Sequence, residues 1–244
     1  MHFLSQVAHW FTTSAHWHGT NGIPHRVLEH MQISVLVMVV AAVIALPIGI
    51  VMGHVGRGGL LAVNVSNIGR AVPSFAVLIV ALQVTHRIGA VPAFIALFLL
   101  AVPPMVTNAY TGVREVDHEL REASTAMGMT GAQTLVRVEL PVALPLIMAG
   151  VRTSAVNVVA TATLAAIVAF GGLGRYILEG IANQDNVQVF SGALLVAVLS
   201  LGTELGLALV QRWITPNGLK RRDSVKNEPI AGAADALPAV PTPH

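Results

Sequence analysis

The chain has no cysteine among its 244 residues, so it can form neither a disulfide nor a thiolate metal site. Charge is scarce too: only 11% of residues are Asp, Glu, Lys or Arg, where a soluble domain carries about 25%. No Gly-rich loop is followed by Lys and Ser/Thr, which excludes ATP binding by that route. Gly171-Gly172-Leu173-Gly174 follows an apolar run and lacks the strand that a dinucleotide loop needs, so it reads as a turn. Histidines crowd the first 30 residues, but His16-x-His18 has no carboxylate beside it and the spacing does not recur. These are read as surface residues of an external segment, and no metal or cofactor is assigned to the chain. Residues 1–26 also lack the basic start, apolar stretch and small-residue cleavage site of a signal peptide. No catalytic constellation appears, and the chain is not read as an enzyme.

What it has is apolar length. Hydrophobic residues make up 54% of the sequence, mean hydropathy is +0.70, and several runs exceed the ~18 residues that indicate a membrane span. The expectation is an all-α integral membrane protein with five spans: Met31–Met52, Ile68–Val84, Ile88–Tyr110, Pro145–Phe170 and Phe190–Val210. Residues 1–26 form an external segment and residues 27–215 the transmembrane domain. Residues 216–244, basic and then rich in Ala and Pro, form a disordered cytoplasmic tail. The pI near 9.5 comes from charges split between loops, a poor footprint for nucleic acid.

Five spans put the two ends on opposite sides. With the N-terminus outside, Arg57, Arg114, Arg121, Arg137, Arg212, Lys220, Arg221, Arg222 and Lys226 fall inside, against Arg26, Arg87 and Arg175 outside. The positive-inside rule selects that orientation.

Between the third and fourth spans lies a charged island. Six of the nine residues Arg114-Glu115-Val116-Asp117-His118-Glu119-Leu120-Arg121-Glu122 are Asp, Glu or Arg. A helical loop held at a membrane surface in this way suits a grip on a soluble partner. Glu122 can meet a helix dipole or a partner's Arg, and Ala123 and Ser124 are small enough to let the helix sink into a cleft. Gly128 permits a turn that strains other residues, and Pro141 and Pro145 restart the chain as a span.

Glu122-Ala123-Ser124, Gly128, Val138-x-Leu140-Pro141, Pro145 and Gly150 resemble the "EAA" coupling loop of ABC-importer permeases, with Ser124 where the pattern has Ala. The Thr161-Ala162-Thr163-Leu164-Ala165-Ala166 and Gly171-Gly172-Leu173-Gly174-Arg175 segments resemble the osmoprotectant branch, whose substrates are glycine betaine, carnitine, choline and proline betaine. The resemblance implies a cytoplasmic coupling loop over about residues 111–144, with Glu122, Ala123, Ser124, Gly128, Leu140 and Pro141 contacting an ATPase. It also implies a dimer of ABC ATPase subunits, a second permease chain (a second copy or a sister), an extracytoplasmic substrate-binding protein, and residence in the plasma membrane. A permease for another small solute, such as an amino acid, or an ion-coupled secondary transporter remain alternatives.

Inside the membrane, Thr153, Asn157 and Thr161 share one helical face. They line a wet passage or hydrogen-bond neighbouring helices. Pro73-Ser74 would open the local backbone ladder; the family resemblance implies a proline near the passage, and a plain kink explains it equally well. Ala41, Ala45, Gly49 and Gly53 form a small-residue ridge suited to close helix packing. Glu204 is an acid inside an apolar run, costly without a partner, and Arg152 or Arg70 is the expected counter-ion.

Overall fold

In the computed structural model, residues 2–59, 64, 67 and 71–214 are described, and every regular element among them is helical. The first helix, α1 (His2–Thr12), is followed by a 3-10 turn at Ser14–Trp17. Next comes α2 (Ile23–Val55), which starts from an extended Gly22, carries proline in its first turn and stops at Gly56 in the left-handed conformation. Proline early and glycine late is the asymmetry expected of helix ends.

Four more helices follow. These are α3 (Ser74–Thr85), α4 (Ala90–Arg114), α5 (His118–Ala126) and α6 (Gly131–Thr134). A π turn at Leu135–Glu139 leads from α6 into α7 (Leu140–Thr161), which tightens into a 3-10 helix at Ala162–Val168. Finally α8 (Gly174–Ala182) precedes α9 (Asn186–Ile214).

Among the described residues, four helical stretches are long and apolar enough to cross a membrane: Ile23–Val55, Ala90–Arg114, Gly131–Val168 and Asn186–Ile214. The expected second span is described only in part. Its described helix, Ser74–Thr85, has 12 residues, about 18 Å at 1.5 Å per residue, against the ~30 Å hydrocarbon core. Pro73 accounts for the break just before Ser74, because proline disfavours helix in the residue before it. Residues 68–70 of that expected span, Arg70 included, lie outside the described residues, as does the tail after Ile214.

The centre of the bundle is α2 against α4 and α4 against α7. Ala41 and Ala45 are fully buried, and a Cβ added to Gly49 would lie 2.6 Å from the Val106 carbonyl oxygen. The small-residue ridge is therefore the contact surface for α4, where the two backbones come together. Ser154 Oγ on α7 donates to the Ala101 carbonyl of α4 at 2.8 Å, a polar tie between buried helices. α9 lies outermost, with only Ser191, Gly192 and Val196 buried. Its apolar exterior fits a lipid-facing helix.

α1 is an element the composition does not suggest. Val7 and Trp10 are buried, Trp10 packs edge-on against Tyr176 and Phe3 against Phe190. His16 stacks on Trp10 at 4.2 Å and its Nδ1 lies 2.7 Å from the Trp10 carbonyl oxygen, so this ring is a packing residue.

Candidate functional site

The charged island folds as a helix–turn–helix between α4 and α7. Asp117 caps α5, its carboxylate accepting from the Glu119 N–H at 2.9 Å. The far end closes as a Schellman turn: Met129 N–H donates to Ser124 O, Gly128 N–H donates to Thr125 O, and Gly128 sits at φ +81°. Thr130 and Gln133 then form a reciprocal capping box at the start of α6. Glycine is needed here for its conformation, since nothing lies within 4 Å of a Cβ built on Gly128.

Glu122, Ala123 and Ala126 on α5 and Met127 at its C-cap are exposed, and Glu122 Oε1 lies 3.4 Å from His118 Nδ1. Arg114, His118, Arg121, Glu122 and Thr125 line an open groove beside them. Ser124 differs from its neighbours. It is buried against its own chain with its hydroxyl donating to Leu120 O at 2.7 Å, so its small size serves internal packing and not the outer face. Leu140 and Pro141 form the first turn of α7.

On an open face of the bundle, Pro73, Ser74, Asn157 and Thr161 line one cavity of about 300 Å³, together with Val72, Leu100, Pro103 and Pro104. Thr153, one turn away, is exposed and does not line it. Pro103 and Pro104 carry no N–H, which frees the Leu99 and Leu100 carbonyls from the helical i−4 bonds. The wall therefore offers hydroxyl, amide and carbonyl dipoles without a charged side chain.

Glu204 Oε1 on α9 lies 2.7 Å from Arg152 Nη2 on α7, each side chain about one-third exposed. Arg152 Nη1 also donates to Gln211 Oε1 at 2.9 Å, and Gln211 Nε2 donates to the Pro145 carbonyl at 3.1 Å. The acid is thus held in a polar chain joining α7 to α9.

Residues 45–216 match the model of a single family, described as the binding-protein-dependent transport system inner membrane component. The chain belongs to that family. It is a multi-pass inner-membrane permease and a transport component, not an enzyme.

The permease is 36% identical over 204 residues to the choline transport system permease protein OpuBB of Bacillus subtilis, covering 83% of this chain and 94% of that protein. It is 35% identical over 192 residues to the carnitine transport permease protein OpuCB of Listeria monocytogenes, covering 79% and 88%. It is 32% identical over 202 residues to the osmoprotectant import permease protein OsmW of Salmonella typhimurium, covering 79% and 91%. Among solved structures, a chain of the MetNI methionine ABC transporter in an inward-facing conformation superposes with a TM-score of 0.66. That match has 24% identity and covers 78% of the permease and 94% of the other chain; it speaks for the fold.

Several residues of the permease carry contacts that sequence reading passed over. Glu139 is 1% exposed, with Oε2 2.6 Å from His54 Nδ1 and Oε1 3.2 Å from Arg121 Nε. At the other end of the bundle, Glu29 accepts from the Gly172 N–H at 2.8 Å, and the buried His30 places Nε2 2.8 Å from Val159 O. Glu29 and His30 thus tie the glycine turn and α7 to the start of α2. The charged types were visible in the sequence; their partners 85 and 143 residues away were not.

Proposed function

We propose that this permease moves a small osmoprotectant of the betaine, choline or carnitine class inward by alternating access, driven by a separate ATPase. The observation that carries the coupling part is α5 with its C-cap, which presents Glu122, Ala123, Ala126 and Met127 to solvent between two membrane-crossing helices. The relatives named for choline, carnitine and osmoprotectants support the substrate class.

The proposed passage is the cavity lined by Ser74, Asn157 and Thr161. A solute whose charge is internally balanced or spread over a quaternary ammonium suits a wall of dipoles, which solvates it without trapping it as a carboxylate would. Asn157 and Pro73 are exposed in the single chain, so a second permease chain, either a copy or a sister, would close the passage from the other side.

The segment ending in α3 is proposed as a fifth crossing, which puts the N-terminus outside and the coupling loop in the cytoplasm with an ATPase dimer. A substrate-binding protein would deliver solute from outside. Nucleotide then acts as a ligand with different affinity for two bundle states, which is what shifts the equilibrium between them.

The test is uptake of labelled choline, glycine betaine, carnitine and proline by cells carrying the permease with its ATPase and binding protein, with and without ATP depletion. ATP-dependent uptake of one or more quaternary amines is expected. Uptake restricted to amino acids would move the substrate class, and uptake insensitive to ATP but sensitive to an ion gradient would overturn the importer mechanism.

A further inference from the structure

Glu139 is an unusual place to find a carboxylate. It is 1% exposed at the end of the π turn, where the Leu140 N–H bonds to Leu135 O five residues back. A π turn inserts a residue into the helix and re-aims the side chains that follow it. A buried carboxylate is costly unless partners surround it. Two do, and each arrives on a different element. His54 Nδ1, in the last turn of α2, is 2.6 Å from Oε2. Arg121 Nε, on α5, is 3.2 Å from Oε1 without hydrogen-bond alignment, so that contact is one of charge. The same guanidinium donates through Nη2 to the Val113 carbonyl in the last turn of α4, where a cation also suits the helix dipole.

One carboxylate and one guanidinium therefore join the ends of α2, α4 and α7 to α5. The backbone of α5 packs mainly against α6 and the π turn, and a three-residue connection, Glu115–Asp117, ties it to α4; these side chains link it to α2 and reinforce the tie to α4. We propose that Arg121, Glu139 and His54 form the transmission node of the permease, converting displacement of α5 into joint movement of three membrane helices. Glu139 is on this view a positioning residue. The inference rests on the reading of α5 as the ATPase-docking element.

The experiment uses the assembled transporter in proteoliposomes, and the absence of cysteine from the chain makes site-directed labelling direct. Met127→Cys and Val55→Cys are both at exposed positions and report the α5-to-α2 separation with and without ATP. Met127→Cys alone is tested for cross-linking to the ATPase. With Glu139 intact the separation stays constant, because α5 and α2 move as one body. In Glu139→Gln the separation changes with ATP, the ATPase still co-purifies and hydrolyses ATP, and substrate moved per ATP falls about tenfold, a size within the coupling effects of such networks.

A residue needed only for folding would lower accumulation without altering that ratio. Where Glu139→Gln does not accumulate, His54→Gln is measured the same way and is expected to shift the ratio in the same direction. An unchanged ratio and constant separation, with the cross-link present, would overturn the node while leaving the docking reading intact. No cross-link from Met127→Cys to the ATPase would overturn the docking reading, and the node with it.

Discussion

Gly128 is required for its dihedral angle alone, and that makes its substitutions separable. At φ +81° with open space around the Cβ position, an L-residue pays about 1–2 kcal/mol for the left-handed conformation and nothing for a clash. Gly128→Val, β-branched, should abolish uptake while the protein still reaches the membrane. Gly128→Asn, which tolerates that conformation, should retain most of it. Uptake assays beside ATPase co-purification decide this, and normal transport by the Val variant would remove the turn from the mechanism.

Glu204 and Arg152 permit a second comparison at the same scale. The pair is one-third exposed on both sides, so its coupling should be smaller than the 3–5 kcal/mol lost on breaking a buried pair and above the surface median of about 0–1 kcal/mol. Glu204→Gln and Arg152→Gln should each lower thermal stability, and the double variant should recover part of the sum in a double-mutant cycle. Strict additivity would mean that the 2.7 Å contact contributes nothing.

Among the elements, the long helices were legible in the sequence because twenty or so apolar residues have few other destinations. The ridge of α2 was legible for a related reason: small residues four apart define a stripe on any helix. Gly49→Val tests that stripe. The new Cβ would meet the Val106 carbonyl oxygen at 2.6 Å and the Ala109 Cβ at 2.8 Å, so overpacking should cost about 1–3 kcal/mol. Thermal unfolding in detergent measures it, and a gain or no change would place α4 elsewhere. α1 and the π turn were not legible, because each depends on contacts distant in sequence. α1 is settled by Trp10 and Phe3 meeting residues of α8 and α9. The π turn carries Glu139 to His54, 85 residues back. At the candidate passage, the Thr153, Asn157, Thr161 stripe was visible as a period of four, but which of its members reach the cavity depends on where α3 and α4 stand. Two of the three do, and the neighbouring Ser154 makes the interhelical bond to Ala101.

For the whole molecule, the number of crossings decides which side each end occupies. Four crossings return the chain to the side it started from; a fifth, through the segment that ends in α3, separates the ends. The arginine and lysine count puts the coupling loop and the basic stretch Lys220-Arg221-Arg222 on the cytoplasmic side in either case, and exchanging Arg26 for Arg57 leaves the balance unchanged, so the side of the N-terminus must be measured. Three reporter fusions distinguish the cases: one before His2, one within Asn183–Asn186 between α8 and α9, and one after Arg222. The expected pattern is outside, outside and cytoplasm. The second and third positions flank α9, whose 29 residues span about 43 Å and exceed the hydrocarbon core, so those two must differ if α9 crosses at all. The first position carries the information about α3. A cytoplasmic signal there, with the other two as expected, would mean that the segment between α2 and α4 re-enters or lies along the membrane without crossing it, and the charge count would have to be redone with Arg57 and Arg87 on the same side.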